Sequence, residues 1–392
     1  MTSAEAILFA VWAPAATATA YLALLTGLSR RPPAAEPRAA HLRFVVVVPA
    51  HDEAQGIAST VESLAAMDYP RALRRIVVVA DNCTDDTAER ARAAGAEVLV
   101  RDDPTLRGKG HALCHAFDRV LAEGWADAVV VVDADTLASR NVLHAFAARI
   151  AAGASAIQAD YAVRNPRESW RTMLAAVALG AVHTLRSLAR ERLSLSCGLR
   201  GNGMCFTTSL LRAVPHDAFS VVEDLEYGLR LGEAGHRVSY AHEAHVYGEM
   251  PAGERAAATQ RRRWEAGRRR MVRLHAGRLL RLALMRRDRV LWDLAIDLLV
   301  PPLATLVVLT ALGLAASLAP SYRKGHLAGV TWAWLACGLG LAGYALRGWQ
   351  LSGTGARGLA AVRFVPGYVA WKLLVRARGS GHAGREWVRT PR

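Results

Sequence analysis

Residues 129–135 read VVVVDAD, and the fold follows from that stretch. Four valines in a row leave no polar face, which is the pattern of a strand buried on both sides of a parallel sheet. Asp133 and Asp135 close the run. Alternate residues of an extended chain share one side, so both carboxylates can face one ligand. Two hard oxygen donors beside phosphate oxygens suit Mg2+ or Mn2+ rather than zinc. A polar turn that merely ends a strand is the plain alternative; the position at the end of a valine run weighs against it.

Working outward, apolar runs at 44–49, 76–80 and 97–100 alternate with helix-like stretches at 55–67, 84–94 and 111–123. This βαβα order predicts an α/β domain with a doubly wound, mostly parallel sheet, binding ligands at the carboxyl ends of its strands. Acids recur at those ends. His51, Asp52 and Glu53 follow Pro49, and Asp81 closes the second run. Thr84 or Asp85 reads as the cap of the next helix, which leaves Asp81 better placed to meet a ligand.

Glu223 and Asp224 begin a later helix, where acids ordinarily cap. The chemical alternative is a general base that removes a proton from an acceptor hydroxyl. Gly201-Asn202-Gly203 supplies a flexible turn that a bulky ligand can approach. In the run 260–264, QRRRW, Gln260 and Trp264 are four apart and share a helical face. By composition alone that run is only the start of a basic surface helix.

The chain has 392 residues, 52% of them hydrophobic, with 49 Lys+Arg against 34 Asp+Glu and a net charge of +15. So apolar a chain is not mainly disordered. Its five scattered cysteines form no CxxC pair, which argues against a disulfide scaffold or a zinc module. Thirteen arginines fall between 255 and 289 against two acids, with leucines interleaved. That pattern reads as amphipathic helix on an anionic membrane face. A nucleic-acid arm needs no apolar stripe, and no recognised nucleic-acid motif accompanies the arginines.

Apolar runs long enough to cross a bilayer flank the α/β region. The expected order is a transmembrane helix at 4–28, a cytosolic domain at 39–254 and basic interfacial helices at 255–289. Transmembrane helices at 290–319 and 328–347, an interfacial or re-entrant helix at 359–376 and a cytosolic tail at 377–392 follow. Glu5 before the first run and Arg30-Arg31 after it favour an uncleaved anchor with its start outside. The basic block and tail then lie inside, at the inner membrane. The alanine and arginine bias hints at a GC-rich bacterial genome.

Taken in order, Asp81, then Asp133-Ala134-Asp135, then Glu223-Asp224, then Gln260 to Trp264, resemble the motif set of the membrane-bound family-2 glycosyltransferases. That group contains cellulose, chitin-oligosaccharide and hyaluronan synthases. Gly108-Lys109-Gly110 between the first two motifs and Glu386-Trp387-Val388-Arg389-Thr390 near the end add to the likeness. The resemblance implies a GT-A-like fold and an inverting sugar transfer from a nucleotide-diphosphate sugar, UDP-linked, assisted by Mg2+ or Mn2+. It implies donor binding by Pro49, His51, Asp52, Glu53, Asp81, Lys109 and Asp133, with the metal held by Asp133 and Asp135. Asp224, with Glu223, would act as the base; Gly201, Asn202, Gly203, Gln260, Arg263 and Trp264 would close on the diphosphate and acceptor. Asp52-Glu53 stands where the family usually has Asn-Glu. About three spans are too few to line an extrusion pore, which favours transfer to a lipid or lipid-linked saccharide acceptor. A polyprenyl-phosphate glycosyltransferase of the dolichol-phosphate-mannose type and a short-chain polysaccharide synthase are the alternative enzymes. A catalytically dead membrane anchor for a partner synthase is the alternative outside enzymes.

Overall fold

The valine runs become the central strands of one sheet. The computed structural model describes residues 3–34 and 41–377, so the closing 386–390 segment lies outside the described residues. Eight strands, β1 (Phe44–Ala50), β2 (Arg74–Asp81), β3 (Glu97–Arg101), β4 (Ala128–Val131), β5 (Thr136–Ala138), β6 (Ala156–Val163), β7 (Met204–Thr207) and β8 (Val238–Gly248), stand in the order β3-β2-β1-β4-β7-β6-β8-β5. The pairs β1–β2, β2–β3, β1–β4 and β6–β8 are parallel. β7 enters antiparallel between β4 and β6, as does β5 against β8. The sheet is therefore the expected mostly parallel one, with two reversed strands that the valine pattern does not announce.

Alternation explains why both faces are apolar. Val46, Val48, Val78 and Val130 pack on Ile57, Val61, Leu64 and Phe146. Val45, Val47, Val79 and Val131 pack on Leu113, Ala116 and Phe117 of the opposite layer. Burying such residues contributes roughly 1.5–3 kcal/mol each. Because β1, β2 and β4 run parallel, the residues after Ala50, Asp81 and Val131 emerge on one edge.

Among the described residues, four helices are long and apolar enough to cross a membrane: Glu5–Leu28, Trp170–Arg192, Leu303–Lys324 and Gly329–Leu351. The second lies within the segment expected to be wholly cytosolic domain, and charge hid it. Arg186 and Arg190 interrupt its apolar run, yet both are buried and neutralised. Arg186 pairs with Asp297 at 2.8 Å and Arg190 with Asp297 at 2.7 Å and Asp293 at 3.0 Å. Arg190, 1% exposed, also donates to Tyr21 Oη of the first helix. The run expected at 290–319 is two helices, Arg289–Leu299 and Leu303–Lys324. Pro301 and Pro302 separate them, since proline supplies no amide donor and breaks the helical ladder. Residues 355–377 form short helical pieces ending in Val365–Ala377.

Candidate active site

Strand ends, a glycine turn and two helix starts converge on one cavity of about 1330 Å³. Its wall includes Pro49 near the end of β1, His51 and Glu53 just after it, Asp81 at the end of β2, and Asp133 and Asp135 after β4. Lys109, Gly201, Glu223, Asp224, Gln260, Arg263 and Trp264 complete the set on the other sides. Residues more than 200 apart in sequence thus share one space. Asp52, Asn202 and Gly203 are outside that wall.

Each exception has a physical reason. Asp52 has φ 53°, and its carboxylate turns back to accept from the Thr84 amide at 2.7 Å. Asn202 is fully buried; its amide oxygen accepts from the Asp133 amide at 3.2 Å and its Nδ2 donates to Thr136 Oγ1 at 2.7 Å. It holds the loop that carries Asp133 rather than facing the cavity. Gly203, φ 69°, inserts where an added Cβ would meet the Val246 side chain at 2.7 Å. Its amide donates to Val131 and its carbonyl accepts from Ala159. The glycine turn is thus a joint in the sheet, and only Gly201 lines the cavity.

Lys109 is the electrostatic centre. Its ammonium donates to Asp133 Oδ1 and to the Gly201 carbonyl, each at 2.5 Å, and lies 3.6 Å from Glu223 Oε1. Glu223 and Asp224 start the helix Glu223–Glu233, and Asp224 Oδ1 accepts from the Leu225 amide at 2.8 Å. Burial pushes both carboxyls up, Glu223 to about 7, while Lys109 pulls them down. At about 7 the Glu223 carboxyl is suited to exchange a proton near neutrality, and Asp224 is shifted in the same direction. Burial lowers the Arg263 pKa, and the nearby charges of Glu223, Asp133 and Asp224 oppose that shift.

Asp81 is fixed by Arg101, whose Nη1 donates to Oδ1 at 2.6 Å, and His51 Nδ1 donates to the Asp81 carbonyl at 2.8 Å. A second group of possible metal donors, Asp52, Cys83 and Asp85, has its ligand atoms within 4.8 Å of one another. Its chemistry suits a hard cation less well. Burial pushes the Cys83 thiol up, and Asp85 is engaged with the Thr87 amide and hydroxyl. Asp133 and Asp135 offer oxygen donors directly on the cavity.

Several wall residues had no individual signal in the sequence. Phe219 is 47% exposed and stacks on His111 with ring centres 4.3 Å apart. Arg268 donates to the carbonyls of Asp297, Leu298 and Val300, anchoring the helix Glu254–Arg286 to the proline elbow. A usable signal existed for the ion pairs: Arg186 and Arg190, and Asp293 and Asp297, are each four apart in apolar helices, so each pair shares a face.

Residues 41–267 match the family model described as "Glycosyltransferase like family 2". The chain is 22% identical over 256 residues to the probable glycosyltransferase YdaM of Bacillus subtilis, covering 64% of this chain and 60% of that one. It is 38% identical over 97 residues to the glucosyl-3-phosphoglycerate synthase of Mycolicibacterium paratuberculosis, covering 24% and 28%. The chain therefore spans less than two thirds of the length of either curated relative. Among solved structures, the mannosyltransferase PcManGT of Pyrobaculum calidifontis, in complex with GDP-Man and Mn2+, superimposes with a TM-score of 0.58 at 20% identity. That match covers 88% of this chain and 98% of the other and is a likeness of fold.

Proposed function

The chain belongs to glycosyltransferase-like family 2, and from that membership we propose that it transfers a sugar from a nucleotide-diphosphate sugar, UDP-linked, to a hydroxyl of a lipid or lipid-linked saccharide. The reaction takes place at the inner face of the bacterial membrane, with the α/β domain cytosolic. The observation that carries this reading is the shared cavity: Asp81, Asp133, Asp224 and Trp264 line the same space as side chains of the apolar helices.

Asp81 and the segment 49–53 receive the base and ribose. Asp133 and Asp135 would hold Mg2+ or Mn2+, which supplies positive charge to the diphosphate; their oxygen chemistry fits such an ion. Asp224 takes the proton from the acceptor hydroxyl as that oxygen bonds to the anomeric carbon. The bond from that carbon to the diphosphate oxygen breaks, its electron pair leaves with the nucleoside diphosphate, and the configuration inverts. Arg263 faces the charge that develops on the leaving group, the kind of preorganised electrostatic contribution that dominates many such reactions.

The cavity favours an alcohol over a polyprenyl phosphate as acceptor. A phosphate nucleophile would approach Glu223 and Asp224 against like charge. Among the wall arginines, Arg186 is engaged with Asp297 and Tyr344, Arg261 with Tyr368 Oη at 2.8 Å and Arg268 with three carbonyls, while Arg263 is assigned to the diphosphate of the donor. The test is incubation of membranes containing the protein with a panel of labelled nucleotide sugars and Mn2+, followed by mass spectrometry of the lipid extract. A lipid gaining one hexose or N-acetylhexosamine supports the reading. An unchanged lipid pool across the panel contradicts it.

A further inference from the structure

The cavity does not stop at the carboxylates. Beyond Trp264 it continues between three apolar segments, and the lining residues of each recur at helical spacing: Leu303, Val307 and Leu314 on one, Gly338, Ala342 and Trp349 on the next, Val362 and Val369 on the third. Such spacing presents one continuous face of each of the first two helices, and the third wall is built from the short pieces around Val362 and Val369. The small side chains of Ala311, Gly338, Ala342 and Ala345 hollow the trough. None of the lining residues in 303–314, 338–349 and 359–369 carries a charge.

The trough has a direction and a length. Its upper end joins the catalytic space. There Gly348 meets Ala181, and Leu179, two residues before Ala181, packs in a cluster that includes Met250 and Trp264. Toward its lower end Gly338 approaches Thr310, with an added Cβ 3.8 Å from the threonine methyl. At the bottom, beside the lining residue Leu314, Gly313 lets the Trp334 ring close the gap between the two helices. From Leu303 to Leu314 the distance is ~16 Å at ~1.5 Å per residue. One leaflet of a bilayer is about half of a ~30 Å hydrocarbon core. The trough is as deep as a single leaflet.

Resting on the proposed sugar transfer, the geometry points to this trough as the binding site for the hydrocarbon chain of the acceptor. The acceptor is a hydroxyl-bearing membrane lipid with an uncharged headgroup, such as a diacylglycerol. It is glycosylated directly while its chain lies along helices Leu303–Lys324 and Gly329–Leu351. A saccharide chain would leave its hydroxyls unpaired against this wall, which costs free energy for each one. The Arg261–Tyr368 hydrogen bond ties the third wall to the QRRRW segment.

The test uses the full chain in phosphatidylcholine nanodiscs with a diacylglycerol carrying a diazirine at its chain end. Photolabelled peptides are mapped by mass spectrometry. The expected adducts fall within 303–314 and 338–349. Ala311→Trp, which fills the trough, lowers that labelling about tenfold or more, the loss expected from unburying two methylene groups. Ala316→Trp, off the trough wall, leaves it unchanged. Labelling that is spread evenly over the outer helix faces, or that Ala311→Trp does not reduce, overturns the proposal. Binding of UDP with Mn2+, measured on the same samples, separates the two claims. Its loss in every variant counts against the sugar-transfer reading; its retention with unaltered labelling counts against the trough alone.

Discussion

Lys109 Nζ lies 2.5 Å from Asp133 Oδ1 and, on its other side, 3.6 Å from Glu223, so one ammonium ties the end of β4 to the start of the Glu223–Glu233 helix. Burial raises the Glu223 and Asp224 pKa values and Lys109 lowers them. Removing that charge in Lys109→Met pushes both carboxyls further up. A base must be unprotonated, so the acid limb of kcat/KM moves to higher pH, while Lys109→Arg keeps it near the wild-type position. A pH–rate profile with an unmoved limb in Lys109→Met would contradict the electrostatic role.

The two candidate donor sets predict different metal behaviour. Chelation stops turnover and Mn2+ or Mg2+ restores it. In Asp135→Asn the metal concentration for half activity rises about 10- to 100-fold or more, since even loss of a partner that supports a metal ligand costs that much. Asp85→Asn, in the Asp52-Cys83-Asp85 group, leaves the metal requirement unchanged. The reverse pattern would move the ion to that second group.

The buried pairs set stability. Arg190 bonds Asp293, Asp297 and Tyr21, joining the helices Ser3–Leu28, Trp170–Arg192 and Arg289–Leu299. Arg190→Met leaves two carboxylates short of a partner, and breaking a buried pair in this way costs about 3–5 kcal/mol. The melting temperature in detergent should drop sharply. A value within a degree or two of wild type (about the effect of a surface change) would mean the pairs contribute little.

Helix contact in the apolar region rests on small residues. A Cβ on Gly348 would sit 2.4 Å from the Ala181 Cβ. Gly348→Ala therefore forces helix Gly329–Leu351 away from Trp170–Arg192, at about 1–3 kcal/mol for overpacking. Thermal unfolding of the purified variant checks it; unchanged stability would place slack where the helices now touch.

What the sequence makes legible here is local. Runs such as VVVVDAD identify their own strands because burial on both faces leaves no room for polar residues. The acids that end them are visible at the same positions. Helix Trp170–Arg192 was hidden because the groups that neutralise Arg186 and Arg190 lie about a hundred residues away, at 293 and 297. The antiparallel entry of β7 was hidden for a like reason. Only in three dimensions does Gly203 bridge Val131 and Ala159. Asn202 reads as part of a ligand turn in sequence, yet its side chain is spent on Asp133 and Thr136.

Asp224 is proposed to take the acceptor proton in the cavity that also receives the donor. The direct measurement compares wild type with Asp224→Asn, following sugar transfer from a labelled nucleotide sugar together with nucleotide binding in the same nanodiscs. Transfer should fall on the order of 10²- to 10⁴-fold, the span that general-base catalysis contributes, while nucleotide affinity stays within a few fold. Near-normal transfer by Asp224→Asn would contradict the account.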